Sequence, residues 1–289
     1  MGKYIKLLRV KHYIKNLLLF LPYFFSGLFL NVNLNLIELL LGFVSFCCVS
    51  SVVYIINDIV DREKDRLHPV KMYRPIASGI VSIKEAIVVI VLLIILTVAT
   101  LLFIGSFVVV SVLAIYFLLN CLYSLRLKNI PIVDIIVLSS FFLLRVYYGA
   151  LLINVPVSIY LFLTVFSLAI MMGANKRKIE MLVSESCRGT LSKYSYEYLN
   201  NVSQMFMILT IVFYSLWIIS GTNQSINPIV IQLSIIIVIA ILLYYQYVVE
   251  NKRDGDPVGV FFKNAIMAVL VAGYLLLMVL GFVVTRLFG

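Results

Sequence analysis

The stretch LIELLLGFVSFCCVSSVVYII (36–56), followed directly by NDIVDREKD (57–65), decides the fold of this chain. The first part is long and apolar enough to cross the roughly 30 Å hydrocarbon core of a bilayer as one helix. The second part places three Asp and one Glu where that helix would leave the membrane. This junction predicts a membrane protein whose chemistry lies in the connections between its spans.

Apolar runs of this kind recur along the whole chain. They lie at about 17–30, 36–56, 83–104, 107–123, 132–153, 157–173, 202–221, 229–249 and 264–285, each bounded by polar, Gly or Pro residues. Of the 289 residues, 63% are hydrophobic and 12% are charged, whereas soluble domains carry about 25% charged residues. A soluble enzyme is therefore excluded. We expect an all-α polytopic membrane protein with nine transmembrane helices, folded as a single integral membrane domain over residues 1–289.

The charged residues indicate how the chain is oriented. All of the 23 Lys and Arg except Arg145 and Arg286 fall in or beside connections on one side of the membrane, and cytoplasmic loops carry such an excess. We therefore expect a cytoplasmic N-terminus in the cell (inner) membrane. Of the 13 acidic residues, all except Glu38 lie in or beside the same connections. Because carboxylates do not help to set topology, they indicate a metal and anion site in a cavity that faces the cytoplasm.

The acidic segment after the second span is the strongest candidate for that site. If the helix continues through it at 100° per residue, four oxygen-bearing side chains share one face: Asn57, Asp58, Asp61 and Asp65. Mg²⁺ takes hard oxygen ligands and is usually held by one or two carboxylates together with substrate phosphates. The pattern therefore predicts a Mg²⁺-diphosphate site. The alternative is a solvated helix end in which the aspartates pair with neighbouring Arg and Lys.

Basic residues follow the aspartates immediately. Arg66, Lys71 and Arg74 are candidate ligands for substrate phosphates, because Arg grips phosphate bidentately and Lys offers a point charge. Pro69 and Pro75 predict extended backbone rather than helix here. The alternative is a juxtamembrane basic loop that binds anionic lipid.

The order of these residues resembles a known family. Nine spans with NDxxDxxxD after the second are similar to the UbiA superfamily of intramembrane prenyltransferases. The longer string, residues 57–79, resembles one branch more closely, the decaprenyl-phosphate phosphoribosyltransferases. That resemblance implies 5-phosphoribosyl diphosphate as donor, a polyprenyl phosphate as acceptor and Mg²⁺ as cofactor, with Asp58, Asp61 and Asp65 catalytic. The product would be an early precursor of furanose units in cell-envelope polysaccharides.

The segment YSLRLKNIPIVD (123–134) is the second signature of that branch by resemblance. Other members of the superfamily carry a second aspartate-rich motif, whereas this segment has one carboxylate, Asp134, and two cations, Arg126 and Lys128. Replacing carboxylates by cations suits a donor that carries an additional phosphate. Tyr123, the first residue of the motif, is a further expected substrate ligand. The alternative for Asp134 is the first turn of a helix, where the dipole and free amides favour a carboxylate.

Arg145 is an ionisable residue inside a predicted span. Burying it costs on the order of 2.5–3.5 kcal/mol even on the lenient insertion scale, so we expect a partner or a wet cavity. It either receives a lipid phosphate or binds within the protein. Its LLRVYYGA context resembles the family's arginine in this span.

Two further basic segments resemble the family. LRVKHYIKN (8–16) is similar to RPxQWxKN and retains Lys15 and Asn16, which would contact donor phosphates. ANKRKIEML (174–182) is similar to KRxxEL, so Lys176 and Arg177 are expected phosphate ligands with Glu180 as their partner. For both segments the alternative is an ordinary positively charged connection beside a span.

Two other functions are alternatives to the phosphoribosyltransferase interpretation. A true prenyltransferase, alkylating an aromatic or lipid acceptor with a prenyl diphosphate, is disfavoured by the missing second aspartate motif. A transporter or a non-catalytic lipid-binding protein is disfavoured because the charges here cluster at one face, whereas the site of a transporter is expected near the midplane of the bilayer. The predicted partners are the two substrates and the lipid bilayer, with no nucleic acid and no particular oligomeric state.

Overall fold

The structure is a computed structural model that describes residues 2–30, 35–68, 71–183, 190–221, 227–252, 259–260 and 264–288. In chain order its α-helices are α1 (Gly2–Leu7), α2 (Leu21–Phe25), α3 (Asn35–Val60), α4 (Arg62–Arg66), α5 (Ile83–Ile104), α6 (Phe107–Leu125), α7 (Val133–Leu152), α8 (Ile159–Val183), α9 (Tyr196–Gly221), α10 (Pro228–Lys252) and α11 (Ala265–Phe288). Segments of 3-10 helix lie at Val10–Phe20, Leu28–Leu30, Lys71–Tyr73, Leu127–Asn129 and Leu191–Lys193. The predicted all-α class is confirmed.

Eight helices in the described residues are long and apolar enough to cross a membrane, namely α3 and α5 to α11. The first predicted span, 17–30, is divided instead into 3-10 helix, α2 and a second 3-10 turn. Pro22 has no N–H to continue a helix across this junction, and Gly27 adopts a φ of +72°. The predicted count of nine therefore stays a prediction.

The backbone between α4 and α5 differs from expectation. Lys71–Tyr73 form one turn of 3-10 helix, so the prediction of extended backbone is wrong there, while Pro69 lies outside the described residues. The reason is local, because Pro75 restricts only the residue that precedes it. The Gly79 φ of +78° then reverses the chain toward α5, which starts at a capping box between Ser82 and Glu85.

The chain divides into two compact units, and the predicted single domain stays a prediction. The first unit comprises Met1–Tyr23, Asn33–Leu125 and Leu144–Val155. In it α3 packs against α5 and α6, and Leu7, Ile55 and Ile76 are buried together. A Cβ on Gly149 would lie 2.0 Å from the carbonyl oxygen of Leu19, so only glycine permits this close approach of two backbones.

The second unit comprises Phe24–Val32, Arg126–Leu143 and Pro156–Gly289. Its α8 packs against α9, and α10 packs against α11. Met171, Tyr245 and Met267 lie in its principal buried cluster. The start of α7 and the C-terminal part of α8 lie beside the 3-10 turn at Leu191–Lys193, where Asp134, Arg177 and Tyr194 are in contact.

Candidate functional site

The acidic segment begins at the C-terminal end of α3 and continues into α4. Asn57 and Asp58 lie in the last turn of α3, Asp61 lies between the helices with φ −87° and ψ 6°, and Asp65 lies in α4. The backbone N–H groups of Asp61 and Asp65 still donate four residues back, at 2.9 and 2.8 Å. The expected continuation of the helix is thus interrupted at Asp61 alone. The backbone hydrogen bonds on both sides of it keep the four-residue spacing of an α-helix.

Asp58 and Asp65 converge on one arginine. The Nη1 atom of Arg74 donates to Asp58 Oδ1 at 3.1 Å and to Asp65 Oδ2 at 2.6 Å. Both carboxylates are buried, with 3% of each residue exposed. Arg74 reaches them because the 3-10 turn and the bend at Pro75 fold the connection back toward α3. The two aspartates that the sequence pattern predicts to act together therefore lie side by side.

Arg9 completes this group, which we call the acidic cluster: Arg9, Asp58, Asp65 and Arg74. Its Nη2 atom lies 2.5 Å from Asp58 Oδ1, and its guanidinium lies over the Tyr54 ring at 4.8 Å. Arg9 has a φ of +53°, a left-handed conformation that non-glycine residues adopt at a cost. This bend between α1 and the following 3-10 helix directs the guanidinium onto Asp58. Sequence reasoning missed Arg9, although it is the second residue of the LRVKHYIKN segment.

The remaining two acidic-segment residues keep oxygens available. Asn57 and Asp61 are half-buried, and neither side chain hydrogen-bonds or ion-pairs with another residue that the structure describes. In the sequence, Asn57 directly precedes Asp58, and Asp61 lies three positions after Asp58 and four before Asp65. The same segment therefore keeps side-chain oxygens available in addition to the two carboxylates that pair with the arginines.

These side-chain oxygens fit a magnesium site in which the phosphates of a substrate supply further ligands. In the described residues, no group of three or more His, Cys, Asp and Glu side chains forms a metal site. Two adjacent buried carboxylates are nevertheless what Mg²⁺ uses when phosphates and water supply its other ligands. The carboxylate oxygens of Asp58 and Asp65 are hard ligands, and their pairing with Arg9 and Arg74 shows that this position favours positive charge.

The other predicted residues of this segment have different surroundings. Arg66 donates from Nε to the carbonyl oxygen of Ala77 at 3.1 Å and pairs with Glu63 at 3.2 Å. The backbone N–H of Lys71 donates to His68 Nδ1 at 3.3 Å. Arg66 therefore ties α4 to the connection that leads to α5. The contact of Lys71 is made by its backbone, within the 3-10 turn.

Arg145 finds its expected partner in Asn16. Its Nε donates to Asn16 Oδ1 at 2.9 Å, and its Nη2 donates to Tyr116 OH at 3.1 Å. The guanidinium also lies 5.2 Å from the centroids of the Phe46 and Tyr116 rings. Asn16 in turn donates to Cys47 Sγ at 3.2 Å. The predicted cost of burying Arg145 is thus offset inside the first unit by an amide, a phenol and two aromatic faces.

Asn16 consequently differs from its predicted setting. It is only 1% exposed, and its side chain both accepts from Arg145 and donates to Cys47. Lys15 beside it is half-buried. The role of the two residues as phosphate ligands stays a prediction, and the structure gives Asn16 a hydrogen-bonding role within the bundle.

Asp134 lies in the first turn of α7, as the alternative interpretation of the sequence predicts. It belongs to a second group of polar residues, which we call the locked cluster: Asp134, Arg177, Glu180 and Tyr194. Arg177 donates from Nε to Asp134 Oδ2 at 2.7 Å and from Nη1 to Glu180 Oε2 at 2.5 Å. The Tyr194 hydroxyl donates to Asp134 Oδ1 at 2.7 Å. The predicted partnership of Arg177 and Glu180 is confirmed.

The cations of the second signature lie just before this cluster. Arg126 is exposed and Lys128 is half-buried, on the 3-10 turn Leu127–Asn129 that follows α6. Lys176 is half-buried on α8, and Tyr123 is half-buried near the end of α6. Their assignment as substrate ligands stays a prediction.

Lys178 is a further buried cation that the sequence did not single out. Its side chain is 0% exposed, and its Nζ lies 3.0 Å from Asn200 Oδ1 and 3.3 Å from Glu250 Oε1. Gln246 bonds Glu250 at 2.8 Å and Asn175 at 2.8 Å. This network joins α8, α9 and α10. In the sequence Lys178 is indistinguishable from its neighbours in a basic connection, so no local signal identifies it.

Known proteins share this architecture. The model of the UbiA prenyltransferase family matches residues 19–267. The decaprenyl-phosphate phosphoribosyltransferase of Corynebacterium glutamicum is 28% identical over 98% of this chain and 88% of its own length. The enzyme of the same name from Mycobacterium tuberculosis is 28% identical over 94% of this chain and 91% of its own. The structure of a UbiA homolog from Archaeoglobus fulgidus bound to GPP and Mg²⁺ has a TM-score of 0.70 at 21% identity, covering 98% of this chain and 99% of that one.

Proposed function

Because the chain belongs to the UbiA prenyltransferase family, we propose that it transfers 5-phosphoribose from 5-phosphoribosyl diphosphate to a polyprenyl phosphate, with Mg²⁺ and release of pyrophosphate. The observation that carries this proposal is the convergence of Asp58 and Asp65 on Arg74, within the segment 57–79 that resembles the phosphoribosyltransferase branch. The full-length relatives of that name support the choice of branch.

Asp58 and Asp65 would hold the metal, with Asn57 and Asp61 supplying further oxygens. When bound, Mg²⁺ neutralises the charge that develops on the departing diphosphate. Arg9 and Arg74 stand at hydrogen-bond distance from the carboxylates. We assign these two guanidinium groups to the diphosphate, because charge-assisted bonds to phosphate are strong and directional.

The reaction needs no strong general base in this protein. A polyprenyl phosphate is already an anion at neutral pH, so one of its oxygens can attack the anomeric carbon directly. The bond from that carbon to the diphosphate breaks as the new bond forms, and the electron pair leaves with pyrophosphate. Inversion gives a β-linked polyprenyl phosphoribose phosphate. The protein contributes positioning and charge stabilisation, which are large terms in catalysis of this kind.

The donor's additional phosphate distinguishes it from a prenyl diphosphate. Beyond Arg74 and the metal ligands, the residues proposed to bind substrate are Lys15, Asn16, Arg66, Lys71, Tyr123, Arg126, Lys128, Asp134, Lys176 and Arg177. Arg126 and Lys128 are the strongest of these, because they stand where other members carry carboxylates. Arg177 and Asn16 belong to this set by resemblance alone, because their side chains already hydrogen-bond inside the protein. Arg145 is assigned to the acceptor phosphate or to the bundle itself.

We place the site at the cytoplasmic face of the cell membrane. The support is the distribution of charge, because the described cations of both clusters follow or precede spans on the side that carries nearly all Lys and Arg. Donor access from the cytoplasm agrees with a water-soluble phosphosugar, whereas the acceptor enters from the lipid.

The test is a transfer assay with purified protein in lipid nanodiscs. With Mg²⁺ and a polyprenyl phosphate, label from radioactive phosphoribosyl diphosphate should enter the organic phase with stoichiometric pyrophosphate release. A parallel reaction supplies a prenyl diphosphate and an aromatic acid. Transfer of the prenyl group together with no use of phosphoribosyl diphosphate would show that only the family assignment is right.

A further inference from the structure

The chain enters α7 through a strained residue. Ile132 has a φ of +68°, which is unfavourable for any residue with a Cβ and especially for a β-branched one. Its side chain is 50% exposed, so burial of that side chain contributes little to holding the conformation. The carbonyl oxygen of Ile132 accepts the first helical bond of α7, from Ile136 at 3.0 Å. Something other than local preference must fix the backbone here.

Tyr194 supplies that fixation. Its hydroxyl accepts a hydrogen bond from the N–H of Ile132 and donates one to Asp134 Oδ1. A hydroxyl has one proton and two lone pairs, so a single oxygen bridges the strained residue and the first turn of α7. Tyr194 is buried, and burial together with the bond to Asp134 raises its pKa. The hydroxyl therefore keeps its proton at neutral pH.

A second contact holds the preceding turn. Thr190 Oγ1 donates to the carbonyl oxygen of Lys128 at 2.7 Å. Thr190 and Tyr194 flank the 3-10 turn Leu191–Lys193, so one short segment engages the loop 126–132 at two points. Arg177 holds Asp134 from the opposite oxygen, which gives Tyr194 a fixed carboxylate to bond.

We propose that Tyr194, assisted by Thr190, is a positioning residue that fixes the turn carrying Arg126 and Lys128 so that it can receive a phosphate of the donor. This inference rests on the proposed function, because the donor is what the turn would receive. Tyr194 itself touches no substrate in this proposal. Its effect reaches the ligand through the backbone of Ile132 and the direction in which α7 begins.

The experiment compares Tyr194→Phe with Tyr198→Phe in the full-length protein in nanodiscs. The ring of Tyr198 stacks on that of Tyr194 at 6.0 Å, and Tyr198 is exposed, so its variant controls for loss of a tyrosine hydroxyl nearby. Hydrogen exchange of the peptide 127–133 reports the turn. Equilibrium binding of phosphoribosyl diphosphate reports donor affinity, and the transfer assay gives KM and kcat. A third variant, Lys128→Gln, tests the donor contact without touching the anchor.

Tyr194→Phe should accelerate exchange in 127–133 and raise the donor KM by about three- to tenfold, with kcat within about twofold. Tyr198→Phe should change neither. Adding Lys128→Gln to Tyr194→Phe should raise KM little beyond Lys128→Gln alone, because both act through one contact. Unchanged exchange in Tyr194→Phe overturns the anchor. Faster exchange with unchanged donor affinity, while Lys128→Gln weakens binding, overturns the positioning role. No donor binding by the unmodified protein contradicts the proposed function instead.

Discussion

The acidic cluster and the locked cluster are built from the same chemistry, but their arginine side chains are buried to different extents. In each, arginine and carboxylate side chains pair at 2.5 to 3.1 Å. The arginine side chains of the acidic cluster remain 22% and 29% exposed, whereas that of Arg177 is 3% exposed. An ion pair that water can reach exchanges partners readily, and one sealed from water does not. The acidic cluster is therefore suited to binding a ligand and the locked cluster to holding structure.

The largest effect should come from removing a charge in the acidic cluster. Asp58→Asn and Asp65→Asn, tested separately, should each lower turnover by about 100-fold or more, because each loses a proposed metal ligand. The folded protein should persist, since an amide of the same shape still accepts a bond from Arg74. Turnover at saturating Mg²⁺ and thermal unfolding in nanodiscs measure the two quantities. Activity near that of the unmodified protein in both variants would contradict the assignment.

In the locked cluster the principal effect should be on stability. Arg177→Met leaves Asp134 and Glu180 without their shared cation, and breaking a buried pair in this way costs about 3–5 kcal/mol. The unfolding temperature should fall sharply, and the yield of folded protein should fall with it. Turnover per folded molecule should change far less than in Asp58→Asn. A stable Arg177→Met protein that fails to bind donor would show that Arg177 acts mainly as the substrate ligand that the resemblance implies and not as a structural ion pair.

Arg74→Gln should have two smaller effects of opposite sign, one on binding of the donor and one on binding of the metal. Donor affinity should weaken by about tenfold, because a charge-assisted contact with phosphate is lost. Binding of Mn²⁺ without donor should strengthen, since the cation competing for Asp58 and Asp65 has been removed. Calorimetry of the metal and of the donor separates these quantities. Weaker binding of Mn²⁺ in this variant would show that Arg74 supports the metal site and does not compete with it.

The smallest effect belongs to Glu63→Gln, the matched control for the aspartate variants. Glu63 lies between the acidic-cluster carboxylates in sequence, but its side chain is 73% exposed and, among the described residues, forms ion pairs with Arg62 and Arg66 alone. Exposed pairs contribute little, so turnover should stay within about twofold. A large loss would show that the acidic segment acts through its total charge and not through Asp58 and Asp65 in particular.

Much of the fold follows from the sequence because hydrophobic length leaves few choices in a bilayer. Each span from 36–56 onward coincides with a long helix of the structure, since an apolar run must satisfy its backbone internally. The first run, 17–30, differs because Pro22 and Gly27 interrupt it. The length of an apolar run indicates that a segment can lie in the membrane. It does not indicate where the helix within that segment is interrupted.

The site is predicted where the determining residues are close in sequence. Asp58 and Asp65 are visible as a spaced pattern, and their shared partner Arg74 follows within the same segment. Arg9 pairs with Asp58 from 49 positions away, and Tyr194 reaches Asp134 from 60. A single sequence holds no signal for such distant pairs. Burial is equally hidden, because Asn16 and Arg177 look like surface residues until their partners are known.

Binding of radiolabelled phosphoribosyl diphosphate to EDTA-treated protein, measured during titration with Mg²⁺, tests most directly whether the acidic cluster is a metal-diphosphate site. The unmodified protein and Glu63→Gln should bind the donor only as Mg²⁺ is added, and Asp58→Asn should not gain binding over the same range. Equal binding by unmodified protein and Asp58→Asn, or full binding before any Mg²⁺ is present, would contradict that assignment.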